Sequence, residues 1–166
     1  MARVILITGG NVGDVKDTLR RAQQEINRSL GVILRCSHSY ESKAWGFTSS
    51  DNFYNQAIIV DTDHTPEEVL DSVLAIEQKL GRNRQEEAAI KAQTGERFAP
   101  RAIDIDILFY DDIVMDTPTL TIPHPLIQNR DFVLRPLNEI APDKIHPVLN
   151  KTVHTLFEEM EQAEEE

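Results

Sequence analysis

The stretch that decides the fold is "RFAPRAIDIDILFYDDIV", residues 97–114, in which two aspartates alternate with isoleucines. Residues two apart on a β-strand point to the same face of the sheet. The pattern therefore predicts a strand over "AIDIDILFY", with Asp104 and Asp106 on one face and the isoleucines facing the core. At about 3.3 Å of rise per residue, the two aspartate Cα atoms would lie about 6.5–7 Å apart.

Two carboxylates at this spacing repel each other unless a cation or arginines lie between them. Mg²⁺ prefers oxygen ligands, and proteins usually hold it with one or two carboxylates together with substrate phosphates. The pair thus has the chemistry to hold Mg²⁺ against a nucleoside triphosphate. The alternative interpretation is an edge strand with one solvated face, in which the alternation is simple amphipathicity.

A long basic segment precedes this strand. Residues 81–101, "GRNRQEEAAIKAQTGERFAPR", lack a clear strand or helix pattern, and loops of this length in compact domains are often lids or binding loops. The segment carries five cationic side chains, namely Arg82, Arg84, Lys91, Arg97 and Arg101. Arginine binds phosphate oxygens in a bidentate manner, so the segment indicates a phosphate site. The alternative is surface pairing with Glu86, Glu87 and Glu96.

The remaining elements complete a β-α-β-β-α-β order. "RVILIT" predicts a strand followed by a loop at "GGNVGD", and "VILRCSHSYES" and "NFYNQAIIVDT" predict two further strands. We therefore expect an α+β fold, a ferredoxin-like sandwich with an antiparallel sheet and helices on one face. The long catalytic loop interrupts it, and a C-terminal extension of short strands and turns follows.

Both expected helices have sequence signals at their ends. Asp14 can cap a helix that runs to about Leu30, with Gly31 at its end. For the second helix, Thr65 is a favourable N-cap, Pro66 suits the first helical position, and Glu68 completes a capping box. Gly81 would end this helix.

Composition limits the cellular context. The chain has 166 residues, a net charge of −11 and one cysteine, Cys36. An acidic protein is a poor partner for nucleic acid or an anionic membrane, and one cysteine excludes an intrachain disulfide. We expect a cytoplasmic monomer that uses small-molecule substrates, with a single domain over residues 1–157 and an acidic tail over residues 158–166.

Six motifs in order resemble one family. "RFAPRAIDIDIL" is similar to R-W-G-P-R-x-x-D-x-D-[apolar], the signature of 6-hydroxymethyl-7,8-dihydropterin pyrophosphokinases, and the similarity extends from the N-terminus to about Pro142. "GGNVGD", "YESKAWGF", "NFYNQAI", "IEQKLGRNR" and "IPHPLIQNRDFVLRPLNEIAP" resemble the other family motifs. Departures are Phe98 for tryptophan, Ala99 for glycine and Gly10 for serine, together with a longer loop.

The resemblance implies transfer of pyrophosphate from ATP to the pterin hydroxymethyl group in folate biosynthesis, with release of AMP. It implies two Mg²⁺ ions on Asp104 and Asp106. The implied catalytic residues are Arg82, Arg97, Arg101 and Asp106. The implied ATP-binding residues are Glu77, Arg82, Arg101, Ile107, Thr121, His124 and Arg130. The implied pterin-binding residues are Ser42, Ala44, Trp45, Phe53, Asn55 and Phe132.

The pterin assignments also agree with the chemistry of the ligand. A flat heterocycle gains from stacking between two aromatic rings, and its amide edge suits a side chain that both donates and accepts. Phe53 and Asn55 are two apart on one predicted strand and so face the same way. Taken alone, Phe53 or Phe132 is more typical of a core aromatic, and His124 between two prolines is more typical of a structural histidine.

Two other functions remain open from the residues. A metal-dependent nucleotidyltransferase also pairs a glycine-rich turn with two strand aspartates, although there the two motifs normally lie close in sequence. A non-catalytic ferredoxin-like binding module would bind a nucleotide without turnover, and the fold alone does not exclude it. Release of AMP, of pyrophosphate or of no product distinguishes these three functions.

Overall fold

The computed structural model describes residues 1–11, 13–42, 53–81 and 103–165. The strands are β1 (Ala2–Gly10), β2 (Val32–Cys36), β3 (Tyr40–Ser42), β4 (Phe53–Thr62), β5 (Asp104–Tyr110), β6 (Met115–Asp116) and β7 (Thr121–Ile122). The helices are α1 (Val15–Ser29), α2 (Pro66–Lys79), α3 (Asp131–Ile140) and α4 (Val153–Glu165), and a 3-10 turn spans Ile127–Asn129. Within these residues, no helix combines the length and the apolar character that crossing a membrane requires.

The main sheet has the predicted antiparallel ferredoxin-like topology. Its strand order is β2-β4-β1-β5, and β3 pairs with β4 beyond the end of β2. The predicted strand over "VILRCSHSYES" is thus interrupted after Cys36. At the break the Ser37 hydroxyl accepts a hydrogen bond from the Ala57 amide at 2.9 Å, replacing a backbone acceptor. The side chain of Ser37 therefore maintains the pairing where the strand bends.

The helix ends predicted from the sequence are confirmed. The Asp14 side chain accepts from the Asp17 amide and caps α1. Thr65 and Glu68 form the full capping box of α2, and Pro66 is its first residue. Gly81 follows α2 and has a φ of 103°, a positive value that glycine adopts more easily than other residues do.

The two helices of the βαββαβ unit lie on one face of the sheet, as predicted, and two C-terminal helices cover the other face. On the first face, α1 and α2 bury a cluster that includes Val4, Leu6 and Ile58. On the second face, α3 and α4 bury a separate cluster that includes Ile5, Ile7 and Ala57. The one-sided arrangement holds for the βαββαβ unit, and the C-terminal segment adds the second layer.

The C-terminal segment forms two helices as well as the expected short strands. β6 and β7 pair over two residues each, but residues 131–140 form α3 instead of strands and turns. Helix α3 forms because its apolar residues recur three and four apart and face the sheet. They are Val133, Leu134, Leu137 and Ile140, all buried. Pro136 lies inside this helix although it lacks an amide donor.

Helix α4 includes most of the predicted acidic tail. The boundary expected after residue 157 lies inside α4, which continues to Glu165. Met160 packs against the second-face cluster. The Arg135 guanidinium on α3 lies 3.6 Å from the Glu161 carboxylate and 3.0 Å from that of Glu164. The acidic residues of this segment thus contribute to the packing of α4 on α3.

Candidate functional site

The two aspartates begin β5 and lie on the second face of the sheet. Ile103, Ile105 and Ile107 are buried in the first-face cluster, as the alternation predicts. Asp106 pairs with Ile7 of β1 in the sheet register, and Ile7 belongs to the second-face cluster. Both aspartates are half-buried. The prediction that they share one face, away from the isoleucines, is confirmed.

A β-bulge follows the aspartates. Leu6 pairs with Ile107 and Ile5 with Phe109, so Leu108 is the extra residue of β5. Because of this insertion, Leu108 and Phe109 both join the second-face cluster. Bulges bend and twist the strand that carries them. The strand thus changes from an acidic second face to an apolar one immediately after the aspartates.

Asn55 lies on the same cross-sheet row as Asp104. In the register of the sheet, Gly9 of β1 pairs with Asn55 on one side and with Asp104 on the other. A Cβ atom added to Gly9 would lie 2.3 Å from the Asn55 Oδ1 atom, so the amide of Asn55 extends across Gly9. The predicted pterin-binding amide and the first predicted metal ligand are thus separated by a residue without a side chain.

Gly9 is a site residue that the sequence reading missed. The glycines of "GGNVGD" were expected to begin a loop, but β1 extends through Gly10. The available signal was the position of two glycines directly after an apolar strand. Glycine inside a strand often marks a close approach of another group, and here that group is the Asn55 side chain.

The predicted aromatic pair lies on this same face. Phe53 is two residues before Asn55 on β4 and pairs with Ser42 of β3, so the two β4 side chains share the second face. Phe132 lies in the first turn of α3, is partly buried and packs against the second-face cluster. The Arg130 guanidinium carbon is 5.5 Å from the centre of the Phe132 ring.

His124 lies close enough to Asp104 and Arg130 for their charges to act on it. Burial lowers the pKa of His124, the positive charge of Arg130 lowers it further, and the negative charge of Asp104 opposes both. The His124 amide donates to the Leu108 carbonyl at 3.0 Å. Its Nδ1 atom accepts from the Leu126 amide at 3.2 Å. His124 is therefore held as a neutral imidazole with its proton on Nε2.

Three other predicted nucleotide residues occupy different environments. Glu77 is 1% exposed, and its carboxylate accepts a hydrogen bond from the Ile105 amide at 2.7 Å. The Ile107 side chain is buried in the first-face cluster. Thr121 in β7 donates its hydroxyl proton to the Asp116 carboxylate at 3.2 Å. Glu77 thus connects α2 to the strand of the aspartates, and only the backbone of Ile107 remains available to a ligand.

Several predicted site residues lie outside the described residues. They are Ala44, Trp45, Arg82, Arg97 and Arg101. The described part of the predicted site is brought together at one end of the sheet, where β1 ends and β4 and β5 begin. The residues gathered there are Ser42, Phe53, Asn55, Asp104 and Asp106 on the strands, with His124 near Asp104 and Arg130, and Arg130 against Phe132.

The acidic donor set suits a metal that shares its ligands with a substrate. Within residues 1–11, 13–42, 53–81 and 103–165, no group of three or more His, Cys, Asp or Glu side chains is arranged to hold a metal. Two carboxylates on one strand face nevertheless match the usual protein contribution to Mg²⁺ binding, in which phosphates and water supply the other ligands. The described residues therefore fit Mg²⁺ bound together with a nucleotide.

Comparison with protein families gives a match over most of the chain. The family model described as 7,8-dihydro-6-hydroxymethylpterin-pyrophosphokinase (HPPK) matches residues 5–142. A 2-amino-4-hydroxy-6-hydroxymethyldihydropteridine pyrophosphokinase of Synechocystis sp. is 40% identical over 154 residues, which cover 92% of this chain and 73% of the relative. The protein of the same name from Aquifex aeolicus is 40% identical over 153 residues, covering 91% and 88% of the two chains.

Solved structures show the same fold. The crystal structure of wild-type Plasmodium falciparum HPPK-DHPS with pteroate superposes with a TM-score of 0.75 at 16% sequence identity. A second wild-type structure of that protein gives a TM-score of 0.73 at 18% identity. The match covers 96% of this chain and 44% of each of those longer chains. At these identities the likeness concerns the fold alone.

Proposed function

The chain belongs to the 7,8-dihydro-6-hydroxymethylpterin-pyrophosphokinase family, whose reaction transfers pyrophosphate to the hydroxymethyl group of the pterin in folate biosynthesis. From this premise we propose that Mg²⁺-bound ATP is the pyrophosphate donor. We also propose that the residues on the second face of the sheet form the active site. The observation that carries the proposal is the row Asn55–Gly9–Asp104, which brings an amide and a carboxylate together across three strands. The pterin hydroxyl oxygen bonds to the β-phosphorus of ATP and releases its proton to the solvent, the bond from that phosphorus to the α–β bridging oxygen breaks, and AMP leaves.

The pterin binds at the Asn55 end of the row. The amide of Asn55 both donates and accepts, which suits the mixed donor and acceptor edge of a pterin. Phe53 is on the same face of β4, and Phe132 lies on the helix that covers this face. Two aromatic rings that stack on opposite sides of a heterocycle bury its faces and leave its edge to the amide.

ATP binds at the Asp104 end of the row. Asp104 and Asp106 would hold two Mg²⁺ ions, which when bound would offset phosphate charge and lower the pKa of the attacking hydroxyl. Arg82, Arg97 and Arg101 would contact the phosphates, and Arg130 and neutral His124 would donate hydrogen bonds on the nucleotide side. Thr121 and the backbone of Ile107 would contact the base. Glu77 would act through the Ile105 backbone that it holds.

The chemistry relies on positioning and electrostatics. Phosphoryl transfer passes through a transition state whose charge is spread over oxygens, so fixed cations and donors supply most of the stabilisation. The Nδ1 lone pair of His124 already accepts from the Leu126 amide, and burial and Arg130 lower the pKa of His124, so this residue suits a hydrogen-bond donor better than a general base. We therefore assign the rate enhancement to substrate alignment and charge stabilisation, without a dedicated base.

The test is product analysis with Mg²⁺-ATP and 6-hydroxymethyl-7,8-dihydropterin for the wild type, Asp106→Ala and the control Asp71→Ala. Asp71 is an exposed residue of α2 that has no role in the proposed site. We expect pterin-dependent AMP from the wild type and the control, and a kcat lower by about 10²–10³-fold in Asp106→Ala, the usual cost of losing transition-state charge stabilisation. Thermal unfolding of each variant verifies that the fold is kept.

The other functions make different products in the same assay. Pyrophosphate in place of AMP would indicate nucleotidyl transfer and would contradict the proposal. Binding of both ligands without any product would indicate a binding module. Equal AMP formation by Asp106→Ala and the wild type would remove Asp106 from the proposed catalytic residues.

A further inference from the structure

One carboxylate joins α3 to the edge strand β3. Glu139, in the last turn of α3, accepts a hydrogen bond from the Tyr40 hydroxyl at 2.7 Å. It also accepts from the His38 amide, at 3.1 and 3.3 Å from its two oxygens, and its Oε2 atom lies 3.1 Å from His38 Nδ1. These contacts span about 100 residues of sequence and cross from one layer of the fold to the other.

The hydrogen bond between Glu139 and Tyr40 affects the pKa of both side chains. The Glu139 side chain is 27% exposed. Burial alone would raise the pKa of Glu139, but the hydrogen bonds from Tyr40 and His38 lower it overall. Burial and the hydrogen bond to Glu139 raise the pKa of Tyr40 to about 12. Glu139 is thus an ionised acceptor, and hydrogen bonds to charged groups are stronger than neutral ones.

Strand β3 is attached directly to the residues of the proposed pterin site. Tyr40 pairs with Asn55, and Ser42 pairs with Phe53. Within the described residues, β3 comprises Tyr40–Ser42 and pairs with β4. Three paired residues gain little from their own ladder, so contacts from another layer help to hold this segment in place.

Helix α3 carries the other half of the proposed pterin site. Phe132 and Glu139 are seven residues apart on α3, which is about two turns, so they lie on the same side of the helix about 10 Å apart. A helix of this length is stiff. The contact at Glu139 therefore limits how far α3, and with it Phe132, can move from β3 and β4.

We infer that Glu139 is a positioning residue for pterin binding, which sets the separation between Phe132 on α3 and the β3–β4 pair that carries Phe53 and Asn55. It touches neither substrate. This inference rests on the proposed pterin site and adds to it Glu139, which lies within the motif "IPHPLIQNRDFVLRPLNEIAP" but to which the resemblance assigned no role. Loss of Glu139 widens the pterin site and affects the ATP side less, because Asp104, Asp106 and Thr121 lie on β5 and β7 and only Arg130 adjoins α3.

The experiment compares Glu139→Ala, Glu139→Gln and Tyr40→Phe with the control Glu158→Gln. Glu158 on α4 also contacts a histidine, His154, at 2.5 Å, but it does not connect α4 to β3. For Glu139→Ala we expect the pterin KM to rise about tenfold, the equivalent of about 1.4 kcal/mol, with the ATP KM changed less than about twofold. Glu139→Gln keeps an acceptor oxygen and should restore part of the loss, and Tyr40→Phe should also show an intermediate effect.

Hydrogen exchange supplies a readout that does not depend on turnover. In Glu139→Ala the amides of residues 38–42 should exchange about tenfold faster than in the wild type, while those of β1 stay protected. A purely structural role would instead lower the unfolding temperature and raise exchange everywhere. Unchanged exchange of β3, or equal rises of the two KM values, would overturn the inference.

Asn55→Ala separates this inference from the proposed function. If Asn55→Ala and Glu139→Ala both raise the pterin KM, both proposals stand. If only Asn55→Ala does, the pterin site stands and Glu139 has no part in it. If Asn55→Ala leaves the pterin KM unchanged, the proposed pterin site is wrong and the inference fails with it.

Discussion

At the scale of single residues, Gly9 allows the proposed pterin side and the proposed ATP side of the site to be adjacent. It lies between Asn55 and Asp104 in the cross-sheet row, and the Asn55 amide occupies the space that a side chain at Gly9 would need. The φ angle of Gly9 is not in the left-handed region. Glycine is therefore needed at this position because there is no room for a side chain, and any larger residue would displace Asn55.

We predict that Gly9→Ala impairs pterin binding selectively. The new Cβ would lie 2.3 Å from Asn55 Oδ1 and 3.0 Å from the Tyr54 carbonyl oxygen, so the flexible Asn55 side chain must move. Losing the hydrogen bonds of one fixed amide should raise the pterin KM about tenfold. Steady-state kinetics with each substrate varied in turn will measure this effect.

A second glycine provides the control for this prediction. A Cβ at Gly31 would lie 2.0 Å from the Asp61 carbonyl oxygen, far from the site. Gly31→Ala should lower the unfolding temperature without a selective effect on pterin. A Gly9→Ala enzyme with wild-type kinetics would show that the position of Asn55 does not matter for pterin binding.

At the scale of elements, the site depends on how α2 holds β5. The buried Glu77 carboxylate accepts the Ile105 amide, and Ile105 lies between the two aspartates. β5 is an edge strand of the main sheet, and unpaired edge amides need a partner when they are buried. Helix α2, with its complete capping box, delivers that partner to the start of β5.

We predict that Glu77→Ala destabilises the fold more than Glu77→Gln. Alanine leaves the buried Ile105 amide without this acceptor, at a cost of about 1–3 kcal/mol, whereas glutamine keeps an acceptor oxygen. Urea denaturation of both variants, with the exposed Glu67→Ala of α2 as control, measures the difference. Equal stabilities of Glu77→Ala and the wild type would contradict a structural contribution of this bond.

At the scale of the whole molecule, a second layer of helices makes the site possible. The βαββαβ unit buries only its first face, whereas the site lies on the second. The helices α3 and α4 cover the apolar part of that face next to the aspartates. The C-terminal segment is thus part of the domain that builds the site, and the position of Phe132 depends on it.

We predict different outcomes for two truncations. Deleting residues 153–166 removes the buried Val153 and Leu156, which should cost about 3–6 kcal/mol, a large part of the usual 5–15 kcal/mol of stability. Deleting residues 158–166 removes the exposed partners of Arg135 and the contact of Met160, and should cost about 1–2 kcal/mol. Urea denaturation measures both, and equal losses would contradict the assigned packing of α4.

The sequence by itself determined the features that depend on local periodicity and end signals. Alternation over residues 103–107 assigned the aspartates to one face, and the caps at Asp14 and Thr65 located two helices, because these depend on neighbours within one strand or one turn. The order of the elements then predicted the ferredoxin-like topology.

Only the tertiary structure decided what depends on pairing and layering. The register that joins Asn55, Gly9 and Asp104, the bulge at Leu108, and the contact of Glu139 with Tyr40 link residues that are tens of positions apart. The apolar period of α3 is present in the sequence, but Pro136 within it argues against a helix, and only packing on the sheet shows that the helix forms. Register and contacts between layers link residues far apart in sequence and therefore leave no local signal.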